Sequence, residues 1–314
     1  MTTLITGGAG FIGSQLARSL LAQGESIVVL DNLDPYYDVA LKRENLAALN
    51  DVPFYQGDVR DASLINKILS DHKITRIAHL AALAGVRASV ENGPLYADVN
   101  THGSVILMDA ARKHGVEQFM LASTSSIYGD TQNIPFQEDD APDFPLSSYA
   151  ASKRAAEIFA HSYHHLFGLN VTVLRFFNVY GPHGRPDMMP MRVIDNILNH
   201  KPIMLYDGGV LKRDWTYIDD VVDGVTAALN TPDGYSILNV GCGQPIALND
   251  FIQIYEELIG QSAITEIVPR PITEPLITYC DNTRAREKLG FDPKVSLVDG
   301  LSRTWAWVRE RRGT

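Results

Sequence analysis

Cysteine is nearly absent: the 314 residues hold two, Cys242 and Cys280, far apart and without metal-ligand spacing. That excludes a disulfide framework and a cysteine-built zinc site, and it points to reduced thiols in a cytoplasmic protein. Long hydrophobic stretches are missing too, none approaching the ~20 residues of a membrane span. A glycine-rich stretch follows Met1 so closely that no signal peptide is expected before it. Positive charge is scarce: 27 Lys and Arg against 37 Asp and Glu leave a formal charge of −10, which argues against a nucleic-acid or anionic-membrane surface. Repeats, low-complexity segments and charge blocks are lacking. The remainder, 45% hydrophobic and 20% charged, is long enough for a full core, as one large domain or two smaller ones.

What is there starts at the beginning, with MTTLITGGAGFIG over residues 1–13. The aliphatic and β-branched run at 3–6 predicts a strand, the glycines a tight turn, and residues 11–23 a helix. Glycines let the backbone turn sharply and approach a ligand without Cβ clashes, and the helix they open aims free N–H groups at it. The stretch reads as G-x-G-x-x-G through Gly8, Gly10 and Gly13, and as G-x-x-G-x-x-G through Gly7, Gly10 and Gly13. A second predicted strand, 26–30, ends at Asp31. A carboxylate there can accept both ribose hydroxyls of an adenosine and repel a 2′-phosphate, so NAD is expected rather than NADP.

Strand and helix patterns then alternate: helix 39–49, strand 53–57, helix 63–72, strand and turn 76–82, a long helix 95–113 and strand 118–123. Such alternation predicts an α/β fold, a Rossmann-type doubly wound parallel sheet that binds ligands at the carboxyl ends of its strands. Asp31, Asp58, Ala81 and Thr124 stand at such ends. Residues 130–145 read as a surface loop, 147–167 as a helix closed by Gly168, and 170–177 as a strand. Beyond it the rhythm loosens. The expected division is 1–177 as the dinucleotide-binding unit, with 214–240 returning to it as a helix start and a buried strand. Residues 178–213 and 241–314 would form a smaller mixed α/β substrate region.

Tyr149 and Lys153 are four apart on a predicted helix and share one face. A tyrosine is a poor base, with an unperturbed pKa near ~10. A neighbouring ammonium is expected to favour the phenolate and make it a usable general base for an alcohol. Thr124 adds a hydroxyl that can hold the same alcohol.

Together, Gly7 to Gly13, Asp31, Asp58-Val59, the run Ser123-Thr124-Ser125-Ser126-Ile127-Tyr128-Gly129, Tyr149 with Lys153, Arg175 to Gly181 and Arg213 to Asp220 resemble the extended short-chain dehydrogenase/reductase family. Within it they resemble the nucleotide-sugar 4-epimerases, most of all those acting on UDP-glucuronate. The resemblance covers nearly the whole chain. It implies NAD held by Gly7, Gly10, Phe11, Ile12 and Gly13, by Asp31-Asn32, Asp58-Val59 and Leu80-Ala81-Ala82, by Asn100, and by Ser123 with Tyr149 and Lys153. It implies a reaction without net redox, in which Tyr149 takes the 4-OH proton while C4 gives hydride to NAD. The 4-keto sugar then turns over and takes hydride on its other face.

The resemblance also sorts the relatives. Related 4,6-dehydratases carry Asp-Glu after the threonine and UDP-glucuronate decarboxylases carry Ser-Glu; here Ser125-Ser126 lacks a carboxylate acid or base. Thr124, Ser125 and Ser126 would hold a sugar carboxylate. Arg213 is expected at the diphosphate, Tyr206 at the uracil, and Arg87 and Arg185 at the diphosphate or the glucuronate carboxylate. Phe177, Met189 and Arg270 complete the implied substrate set. Two positions depart from the glucuronate pattern: Asn178 replaces a threonine, as in UDP-glucose epimerases, and residues 270–275 replace the usual nucleotide-covering loop. UDP-glucose/UDP-galactose epimerisation is therefore the alternative, ahead of decarboxylation or dehydration. A dinucleotide-sensing regulator is disfavoured because Tyr149 and Lys153 are both present. His161, His164 and His165 lack a completing ligand, so no metal is expected. Apolar Ile158, Phe159, Tyr163 and Leu166 suit core or a subunit contact, and relatives imply a homodimer through a four-helix interface.

Overall fold

The computed structural model describes residues 1–313. Its strands are β1 (Thr2–Thr6), β2 (Ser26–Asp31), β3 (Phe54–Gln56), β4 (Arg76–His79), β5 (Gln118–Thr124), β6 (Val171–Phe176), β7 (Asn178–Tyr180), β8 (Pro202–Tyr206), β9 (Lys212–Tyr217), β10 (Tyr235–Val240), β11 (Pro245–Ala247), β12 (Ile264–Val268) and β13 (Ile277–Thr278). Seven of them make one sheet in the order β10-β6-β5-β4-β1-β2-β3, every pair parallel. Read from the other edge, this is the doubly wound order with one strand added, the α/β fold that the alternation predicts.

Successive residues of a strand feed opposite layers. Leu4 packs with Ile65 and Ile68 of α3 (Ala62–His72), with Leu107 and Ala111 of α5 (Gly103–Lys113), and with Ala156 of α6 (Ser148–Phe167). Its neighbour Ile5 packs with Leu16 and Leu20 of α1 (Phe11–Ala22) and with Val221 and Val225 of α8 (Ile218–Asn230). Leu4 and Ile5 are fully buried, and removing a side chain such as Leu4 to alanine costs about 2–5 kcal/mol. α6 starts where the Ser147 hydroxyl accepts from the Ala150 N–H and stops at Gly168 in the left-handed region.

The chain leaves the large sheet at Phe177 and enters a second one at Asn178, where β7 and β13 pair parallel with β9 and β11 pairs antiparallel. β8 and β12 form a separate parallel pair. The helices α7 (Met189–Leu198), α9 (Leu248–Ile259) and α11 (Leu297–Arg312) belong to this half, α10 (Thr283–Leu289) packs back on β10 and α8, and α2 (Val39–Ala47) follows β2.

Two elements differ from expectation. Residues 212–217, in place of a helix start at 214, form β9, because Asp214 is buried and accepts backbone N–H groups of Cys242, Gly243 and Cys280 at 2.9, 2.9 and 3.2 Å. The helix begins at Ile218, with Asp219 and Asp220 in its first turn. The long helix also starts earlier, as α4 (Gly93–Tyr96), and widens into a π-turn at Ala97–His102 before α5. Such widened turns are often found beside functional sites. Among the described residues no helix is long and apolar enough to cross a membrane.

Candidate functional site

The carboxyl ends of β1, β2, β4 and β5 open on a cavity of about 280 Å³. Its floor is the glycine turn. Gly7 has φ +70°, and a Cβ on Gly13 would lie 2.3 Å from the Gly7 carbonyl oxygen, so neither position admits a side chain without rearrangement. α1 opens at Gly10 with no side-chain cap, which leaves its first N–H groups for a ligand. Asp31 stands opposite, oriented by the Ala9 and Leu33 N–H groups at 3.1 and 2.8 Å and by Lys42 Nζ at 3.4 Å. Asn32, Val59, Leu80, Ala81, Ala82 and Phe11 line the same cavity, as do Ile12, Ser123, Tyr149 and Lys153. Asp58 lines it too, with its carboxylate forked by Arg60 at 2.8 and 2.7 Å and held below the usual range by that contact. A bare floor, unpaired helix donors and an acidic side chain at the next strand end fit a dinucleotide.

Asn100, expected at the cofactor, does not line the cavity. Its amide is spent on the Leu83 N–H and carbonyl at 2.8 and 3.0 Å and on Ser152 Oγ at 3.0 Å, so it braces the loop after β4 from behind. The π-turn that carries Asn100 has no signal in the helical pattern of the sequence.

A larger cavity of about 1250 Å³ adjoins the first, and Tyr36 and Tyr37 line both. Ser125, Ser126, Asn178, Met189, Tyr206, Arg87 and Arg213 line the larger one. Thr124, Phe177 and Arg185 line the smaller. The Thr124 hydroxyl accepts from the Ser126 N–H at 3.1 Å and so caps the turn Ser125–Tyr128 that presents the two serines. Glu274 sits between two arginines: Arg87 donates to Oε1 at 3.2 Å and Arg213 to Oε2 at 3.0 Å. Arg270, expected among the substrate ligands, lines neither cavity. It is tied to Asp207 at 3.1 and 3.3 Å and to the Glu274 carbonyl at 2.5 Å, a clip that holds the loop in place of a ligand.

The electrostatics of Tyr149 also depart from expectation. Its phenol is raised, because burial disfavours the phenolate more than the Thr124 hydroxyl and the Arg185 charge lower it. Lys153 is buried, and desolvation brings its ammonium down to about 8 against the opposing pull of Glu157. The lysine keeps its proton less firmly than in water, and burial, not its charge, decides the direction of the phenol's shift.

Lys42, Tyr36 and Tyr37 were not singled out from the sequence. Asp187 takes both bonds of the Arg185 fork, and the Tyr36 hydroxyl donates to it at 3.3 Å. The tyrosine pair lies just after Asp31 and Lys42 one turn into α2, so position after a strand end was the usable signal.

Residues 3–241 match the profile of the NAD dependent epimerase/dehydratase family. The chain belongs to that family. It is 43% identical over 311 residues to a UDP-glucuronate 4-epimerase of Thermodesulfobacterium geofontis, covering 98% of this chain and 96% of that protein. The fold matches a Bacillus cereus UDP-glucuronic acid 4-epimerase solved with UDP-glucuronic acid and NAD, at TM-score 0.93 and 34% identity over 99% of this chain and 100% of that one. A Thermotoga maritima UDP-glucose 4-epimerase with UDP-glucose matches at TM-score 0.92 and 32% identity, again over 99% and 100%. As a member of this family the chain is NAD-dependent, and the cradle described above is the candidate site for that cofactor.

Proposed function

We propose that the chain is an NAD-dependent UDP-sugar 4-epimerase that interconverts UDP-glucuronate and UDP-galacturonate. The observation that carries this is the meeting of the two cavities. Tyr149, Thr124 and Lys153 line the one with the glycine cradle, directly beside the one lined by Ser125, Ser126 and Asn178. Held by the Gly7–Gly13 turn and Asp31, NAD would supply a reversible hydride acceptor for the sugar C4.

The chain's own residues do the rest. Tyr149 accepts the 4-OH proton and gives it back, and Thr124, which lines the same cavity, offers its hydroxyl to the same alcohol. Arg87 and Arg213 hold the diphosphate, with Tyr206 stacking on the uracil. Arg185, with Ser125 and Ser126, holds the sugar carboxylate and shields it from loss as CO₂ at the 4-keto stage. A firm grip on the diphosphate and a loose one on the ring let the keto sugar turn over.

Residues 1–177 with 218–240 serve as the NAD half and the remaining residues as the sugar-nucleotide half. Exposed Ile158, Phe159, Leu166 and Phe167 on α6, with Leu95 on α4, suit a homodimer built from these helices. The free thiols Cys242 and Cys280 suit a cytoplasmic protein. Asn178 supports UDP-glucose/UDP-galactose as the second substrate pair. The purified protein, incubated separately with UDP-glucuronate, UDP-glucose and UDP-N-acetylglucosamine and resolved by chromatography, should convert the first fastest. No conversion of any would refute the reading.

A further inference from the structure

Glu157 is fully buried and follows Tyr149 by eight residues and Lys153 by four, so the three share one face of α6. Its carboxylate joins three elements. Oε1 accepts from Ser123 Oγ at the end of β5 at 2.5 Å and from Arg175 Nε on β6 at 3.0 Å. Oε2 accepts from Arg175 Nη2 at 2.9 Å and from Arg154 Nη1 at 3.0 Å. Arg175, also fully buried, continues to the Tyr128 hydroxyl at 2.9 Å and the Glu138 carbonyl at 2.8 Å. Tyr128 ends the turn that carries Ser125 and Ser126.

We propose that Glu157 is a positioning residue for the reaction: with Arg175 it locks the strand end Ser123–Thr124, the sugar-facing turn and the Tyr149–Lys153 face of α6 into one unit. This deepens the epimerase reading and rests on it. A buried ion pair is seldom more stabilising than apolar side chains of the same size, since desolvation offsets its attraction. What the guanidinium–carboxylate fork adds is direction, because both bonds form only in one geometry.

Glu157 also sets charge. The ionisable groups around Lys153 are Tyr149 and Glu157 on its own helix and His79 at the end of β4, which burial keeps neutral with a value of about 3. Arg185 lies near Tyr149, and Arg175 and Arg154 meet the Glu157 carboxylate. Glu157 is the group that holds the Lys153 ammonium up against desolvation. Without that carboxylate, Lys153 loses its proton at lower pH.

The test uses full-length, NAD-loaded protein carrying Glu157→Gln, Glu157→Asp or Arg175→Lys. In Glu157→Gln, kcat should fall about tenfold with KM nearly unchanged, and the alkaline limb of kcat should move down by about one pH unit. Glu157→Asp, which keeps the charge, should leave the limb in place and regain part of kcat. Arg175→Lys, which keeps charge but not the fork, should lower kcat without moving the limb. The pH dependence of NAD binding by calorimetry reads the same shift without turnover, since Lys153 lines the cofactor cavity. If the Gln variant loses only melting temperature, with both pH profiles unmoved, or if Arg175→Lys turns over like wild type, the proposal is wrong. A wild-type protein that epimerises no UDP-sugar would overturn the functional reading, while the NAD-binding profiles would still decide the role of Glu157.

Discussion

Arg185 meets Asp187 through two parallel bonds, Nε to Oδ1 at 3.0 Å and Nη2 to Oδ2 at 2.9 Å, and its charge also reaches the Tyr149 phenol. A guanidinium that forks one carboxylate beside Tyr149 is suited to fork another, that of a uronic acid. Arg185→Ala should lower kcat/KM for UDP-glucuronate by about 10- to 100-fold, the worth of one charge-assisted contact, and should release some UDP-pentose. Chromatography of the products checks both. Full activity with no pentose would remove Arg185 from the carboxylate site.

Asp31 bears on cofactor choice together with Lys42, which stands 3.4 Å from it inside the cavity. Asp31→Ser removes the acceptor for the ribose hydroxyls and frees the lysine. NAD affinity should fall about tenfold, roughly 1.4 kcal/mol, and NADP affinity should rise. Adding Lys42→Ala should cancel the NADP gain. Calorimetry with each dinucleotide reads these outcomes, and an Asp31→Ser protein that still excludes NADP would contradict them.

The glycine turn and the βα alternation made the large sheet legible in advance, because both signals are local. A strand end, its glycines and the next acidic residue lie within a few dozen positions. β9 was not legible, since it exists through the burial of Asp214 against backbone from residues 242–280, which no local pattern carries. Asn100 and Arg270 lie outside the two cavities for a related reason. Each polar side chain is satisfied by a distant loop, Leu83 in one case and Asp207 in the other. The helical spacing of Tyr149 and Lys153 was correct, but the sign of the phenol's shift was not. Burial, which a sequence does not report, outweighs the charges around it.

His79 gives a pH signature of stability. It is buried between Thr6 Oγ1 at 2.7 Å and Ser104 Oγ at 2.9 Å, and desolvation lowers its value from 6.5 to about 3. A depressed basic group is protonated first in the unfolded chain, so the folded state loses stability as pH falls from about 6.5 towards 3. At pH 5 this amounts to about 2 kcal/mol relative to pH 7. Urea unfolding at both pH values should show the drop, and His79→Gln should flatten it. An unchanged pH dependence in that variant would assign the effect to other groups.

The apolar face of α6 makes an assembly prediction. Phe159→Glu with Leu166→Glu should turn a dimer into a monomer in light scattering at micromolar concentration, both side chains being exposed in the single chain. A wild-type mass already monomeric would refute the helix-paired dimer.

The most direct test of the account is Tyr149→Phe. The substitution removes only the hydroxyl, so NAD binding should persist while turnover of UDP-glucuronate falls by about 10²- to 10⁴-fold, the usual worth of a positioned acid–base group. A phenylalanine variant that binds NAD and still epimerises at close to the wild-type rate would contradict the assignment of Tyr149 as the group that moves the 4-OH proton.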